Sequence, residues 1–144
     1  MQRQRLRAME YGVIRPPRGK LGERLRAIYT GIADLVEKYR PAEVAIERAF
    51  VHINPASALA LGQARGAALA AAMVEPCEYA EYAPRAVKLA IVGSGKADKS
   101  QVAHMVRHLL KLAGPIAEDA SDALAIAVCH AHSRNMDSRL LGRK

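Results

Sequence analysis

Aromatic side chains are scarce in this chain: one Phe, no Trp and 5 Tyr, 4% of 144 residues. The 51% of residues that are apolar are therefore mostly aliphatic residues and Ala, a composition suited to closely packed helices. Cysteine is scarce too. Cys77 and Cys129 lack the spacing of a zinc site or a disulfide framework and read as reduced thiols of a cytoplasmic protein. Long apolar runs are missing, since even the stretch 66–74 is short and Ala-rich, so no membrane partner is expected. The basic opening "MQRQRLRAMEYG" is not followed by the apolar core of a signal peptide.

Acid is in deficit. Lys and Arg total 22 against 14 Asp and Glu, a net charge of +8, and residues 1–40 hold ten basic residues and four acids. Such an excess favours a polyanionic partner, most simply nucleic acid, because phosphate contacts release counterions. The alternative is a basic but inert surface.

The hydrophobic pattern gives a β–α–β rhythm and hence an α/β domain. "YGVIRP" (11–16) is a short β-type run stopped by Pro16 and Pro17. Leu21, Leu25, Ile28, Ile32, Leu35 and Val36 recur at helical spacing before Arg40-Pro41 ends the helix. "EVAIE" (43–47) alternates as a strand. Asn54-Pro55 then opens a helix over 55–74, with Ala58, Gly62 and Gly66 spaced four apart. That small-residue stripe admits either an intrachain backbone or the helix of a second copy. "CEYAEYA" (77–83) reads as strand, Pro84 starts a short helix, and "GSGK" forms a mobile turn. Asp98 and Gln101 make a capping box for a helix to Leu112 that buries Val102, Met105, Val106, Leu109 and Leu110. A final Ala-rich helix reaches about His132, leaving a basic tail, 133–144, expected to be frayed or disordered.

Two motifs fail on inspection. "GSGKADKS" lacks the first Gly and the Ser or Thr after Lys that a phosphate-binding P-loop requires, since Ala90 and Ala97 hold those places. "HMVRH" sets His104 and His108 one turn apart but lacks the Glu of a zinc protease. Cys129, His130 and His132 are too close together for a closed zinc site.

Acids at the ends of apolar elements remain. Glu47 closes a strand, while Asp119 and Asp122 in "AEDASDALAIA" share one face of a helix entry. Acids favour a first helical turn for reasons of capping and dipole alone. They are equally the hard oxygen ligands that Mg2+ takes beside water and substrate phosphate, and paired ions can hydrolyse a phosphodiester. Acids and a basic surface on one small α/β domain point towards a nuclease.

"AIERAF", "SALALGQARGAA", "EYAPRAVKLAIVGSGKADKSQVAHMV" and "EDASDALAIA" together resemble the RuvC family of bacterial Holliday junction resolvases, from about Gly12 to about His132. The resemblance implies an RNase H-like (retroviral integrase-type) α/β fold, a mixed sheet flanked by helices, in a single nuclease domain over 1–132. It implies a homodimer that nicks opposed strands of four-way junction DNA in recombination and repair, alongside branch-migration proteins of the RuvAB type. Its cofactor would be Mg2+, two ions per active site, with Mn2+ as a substitute. By position, Glu47, Asp119 and Asp122 match the family's catalytic metal-binding carboxylates. Phe50 matches an aromatic that stacks on an unpaired base, and Lys88 and Lys99 match basic residues that contact DNA. The helix bearing "LGQARG" matches the dimer-contact helix, and Asp119 is expected both to cap its helix and to ligate metal.

One departure stands out. The family's opening strand and turn, "GIDPG", whose Asp is the first metal ligand, has no counterpart here, so the chain reads as N-terminally truncated and its sheet as incomplete. Two other functions follow from that reading and from the acids: a non-catalytic junction or DNA-binding protein, or a metal-dependent hydrolase of small phosphates. The second fits the acids but neither Phe50 nor the charge.

Overall fold

The computed structural model describes residues 5–48 and 54–141, with side chains as far as residue 135. In chain order the elements are α1 (Leu21–Tyr39), β1 (Glu43–Glu47), α2 (Pro55–Ala72), β2 (Glu78–Tyr82), α3 (Pro84–Val92), α4 (Lys99–Leu110) and α5 (Glu118–Leu141). β1 and β2 pair in a two-stranded sheet, joined through α2 rather than by a hairpin. The chain groups into two compact units, residues 14–80 and residues 1–13 with 81–144.

In the unit 14–80, α1 packs on α2. Arg40 ends α1 in the left-handed conformation (φ 46°), its N–H donating to the Val36 carbonyl, and Pro41 forbids another turn. Asn54 caps α2 by accepting from the Ser57 N–H at 2.9 Å, with Pro55 in the first turn where a missing N–H costs nothing. Arg40 also pairs with Glu75 at 3.2 Å across exposed side chains.

The run 11–16, expected as a strand, is irregular backbone. A strand needs a ladder partner, and among the described residues β1 and β2 pair only with each other. Ile14 finds apolar cover by another route, lying against Gly31 of α1 so closely that a Cβ there would stand 2.7 Å from Ile14 Cδ1.

In the second unit, α3, α4 and α5 pack around Val87, Ile91, Val106, Leu124, Val128 and Cys129. Val106 is fully buried, whereas Val102, Met105, Leu109 and Leu110 are only partly so. The capping box of α4 forms as the sequence predicts: Asp98 accepts from the Gln101 N–H at 2.9 Å and Gln101 Oε1 accepts from the Asp98 N–H at 3.0 Å. Burial pushes the Cys129 thiol up, making it an inert core residue. Tyr82 and His130 share a 2.7 Å hydrogen bond between the hydroxyl and Nδ1.

The end of α5 corrects a second expectation. The helix does not stop near His132 in a frayed tail but continues to Leu141. Between Pro115 and Gly142 there is no Gly or Pro to end it, and Arg, Met and Leu in the last stretch are good helix formers.

Candidate functional site

The first turns of α4 and α5 meet through one lysine. Lys99, the first residue of α4, places its ammonium 2.7 Å from Glu118 Oε1 and 3.5 Å from Asp122 Oδ2, and Glu118 is the first residue of α5. Glu118 and Asp122 are four apart and share a helix face, so one cation reaches both. The Glu118 carboxylate holds Lys99 above its ordinary value, with the Asp122 charge adding to it, and Lys99 holds Glu118 below the usual carboxylate range. Lys99, Ser100, Ala103 and Arg107 of α4 face Ile116, Glu118, Ser121 and Asp122 across a shallow cleft.

Asp119 is exposed and is the second residue of α5, not its cap. Ala117 stands before the helix, its carbonyl accepting the Ser121 N–H at 2.9 Å. The expected capping by Asp119 is therefore replaced by an effect of charge in the first turn. Lys88, on α3, is half-buried. It lies near Asp98, whose carboxyl is held below its ordinary value first by the Ser100 hydroxyl, then by the Gln101 N–H, with Lys88 a smaller contributor. Glu47 belongs to the other unit, as the exposed last residue of β1, and its carbonyl accepts from Arg65 Nε of α2 at 3.4 Å. Phe50 lies outside the described residues.

The α5 donors suit a hard divalent cation. Asp119 and Asp122 offer solvent-accessible carboxylate oxygens, and two carboxylates completed by water and substrate phosphate are what Mg2+ takes. Among the described residues no three His, Cys, Asp or Glu side chains converge on one point.

The sequence pattern described as crossover junction endodeoxyribonuclease RuvC matches residues 1–130. The chain belongs to the RuvC family. Its relatives include the RuvC crossover junction endodeoxyribonucleases of Methylococcus capsulatus, 54% identical over 129 residues (90% of this chain and 78% of the relative), and of Halorhodospira halophila, 54% identical over 130 residues (90% and 78%). Among solved structures, Thermus thermophilus RuvC matches with a TM-score of 0.77 at 35% identity, covering 85% of this chain and 75% of that one. T. thermophilus RuvC in complex with Holliday junction substrate matches with a TM-score of 0.85 at 34% identity, covering 91% and 81%. The fold is accordingly RNase H-like α/β.

Glu118 and Arg107 of this cleft are not singled out by the sequence patterns. Their signal was present in the four-residue spacings Glu118–Asp122 and Lys99–Ala103–Arg107, but only the packing of α4 on α5 turns two helix faces into one cleft.

Proposed function

We propose that the chain is a structure-selective endonuclease that resolves four-way DNA junctions by Mg2+-dependent phosphodiester hydrolysis. The observation that carries this is the α4–α5 cleft, where Asp122 and Lys99 lie together beside the exposed Asp119, in a chain of the RuvC family. Asp119 and Asp122 would hold the cation, Glu47 is assigned a catalytic carboxylate's role by its match to the family motif, and Lys99 and Lys88 meet the DNA backbone. A bound Mg2+ supplies Lewis acidity towards the scissile phosphate and its attacking water. Lys99 neutralises the carboxylates and lowers the cost of bringing a phosphodiester beside them. Phe50 stacks on an unpaired base near the crossing point.

The working form is a homodimer joined through α2. A Cβ at Gly62 or Gly66 meets nothing within 4 Å among the described residues, so the glycines are not explained by a close neighbour within their own unit. Two copies would direct two such sites at opposed strands, in concert with branch-migration proteins of the RuvAB type. No helix among the described residues is long and apolar enough to cross a membrane, and we place the protein in the cytoplasm with the DNA it acts on.

A second reading is a junction binder without cleavage, which the net charge of +8 would serve by itself. The deciding experiment presents labelled four-way junctions to the full chain with Mg2+ and with EDTA. Mg2+-dependent symmetric nicking supports the endonuclease, whereas junction binding in EDTA without nicking in Mg2+ supports the binder. Equal binding to junction and linear duplex would remove both.

A further inference from the structure

Within "HMVRH" in α4 Val106 serves the core, whereas His104, Arg107 and His108 are all exposed. Arg107 stands two turns along the helix from Lys99 and on nearly the same face, so both line the cleft that holds Asp122. Their situations differ. Lys99 is engaged by Glu118 and Asp122, but Arg107 has no carboxylate partner among the described residues. The cleft is bipolar: carboxylates beside Lys99 at one end, an uncompensated guanidinium at the other, with the Ser100 and Ser121 side chains also on its wall.

We propose that Arg107 is a DNA-phosphate ligand, gripping the backbone of the strand whose scissile phosphate lies at Lys99 and the α5 carboxylates; this rests on the junction-nuclease reading above. Eight helical residues separate the two cations by about 12 Å along the axis. That is the axial rise of about three to four nucleotides, so they contact different phosphates of one strand. Guanidinium suits the task because it stays charged and presents a planar fork to phosphate oxygens. The competing role is purely local: a cation in the last turn of α4 complements the helix dipole.

The test is junction binding by the full chain in EDTA, across a salt series, for the native protein, Arg107→Gln and Arg107→Lys. Loss of one phosphate contact reduces the slope of log K against log salt by about 0.9 and weakens binding by about fivefold to tenfold near 0.1 M salt. Arg107→Gln should show that change at an unaltered or slightly lowered melting temperature, and Arg107→Lys should keep the slope. In the native protein, junction DNA should also protect Arg107 from phenylglyoxal, read by peptide mass, and this arm needs no variant to fold. An unchanged slope in Arg107→Gln, or Arg107 labelled equally with and without DNA, overturns the proposal. If the native protein does not prefer the junction over linear duplex, the underlying reading fails; if it does and Arg107 is silent, only this inference fails.

Discussion

Lys99 and Glu118 lie 2.7 Å apart, each the first residue of its helix, so one ion pair sets the N-terminus of α4 against that of α5. Both side chains are largely exposed, at 69% and 73%, and water screens much of the attraction. The pair therefore acts more on where the ammonium sits than on how stable the fold is.

The pH dependence of that pair has a definite sign. Glu118 is held below its ordinary 4.5, so its contribution is present at neutral pH and is lost as acid titrates it below that value. Lys99 is held above 10.5, so its contribution is present below that value and is lost as alkali titrates it above. The melting-temperature difference between native protein and Glu118→Gln should be small and level across neutral pH, and vanish in acid as the pH falls through the lowered Glu118 value. A difference that grew in acid would contradict the assignment.

Asp119→Asn and Asp122→Asn should each abolish Mg2+-dependent nicking while leaving junction binding in EDTA intact. Each change keeps the side-chain shape and removes the negative charge that would hold the proposed cation. Gel assays of binding and nicking on the same junction read both, and a variant that still nicks would exclude its residue from the ligand set.

Gly66 separates helix propensity from assembly. The space around it is open among the described residues, so Gly66→Ala should stabilise the fold by about 0.5–1 kcal/mol through α2 alone. If α2 carries the proposed dimer contact, Gly66→Leu should split the dimer by filling that surface. Analytical ultracentrifugation with thermal melting distinguishes the two, and an intact dimer in Gly66→Leu would place the interface elsewhere.

Two other glycines have opposite expectations. Gly93 ends α3 at φ 85° with open space around it, so Gly93→Ala should cost about 1 kcal/mol from backbone strain alone. At Gly31 an added methyl gains helix propensity but displaces Ile14, whose Cδ1 would be 2.7 Å away. Gly31→Ala should be close to neutral alone and more favourable in an Ile14→Ala background, a non-additivity that denaturant melts of the double-mutant cycle measure.

Phe50→Ala should leave the melting temperature unchanged and weaken junction cleavage, as expected of an aromatic that meets a base. A large loss of stability would instead make Phe50 a core residue.

Much was legible from local rules, because those rules act within a few residues. Asn54-Pro55 opens α2, Asp98 with Gln101 caps α4, and Arg40-Pro41 closes α1, each as hydrogen-bond and steric requirements dictate. The acids of α5 and the basic excess were equally plain, and the family was legible in its four motifs.

What tertiary structure decided involves partners distant in sequence. The β-type run "YGVIRP" made a strand plausible, but a strand exists only where another backbone accepts its hydrogen bonds, and Ile14 settled on Gly31 instead. The tail beyond His132 read as frayed, yet without Gly or Pro the helix runs on to Leu141. Lys99 and Asp122, twenty-three residues apart, became neighbours only when α4 packed on α5. Spacing along a chain fixes which residues share a face; packing fixes which faces meet, and the candidate cleft is a product of the second.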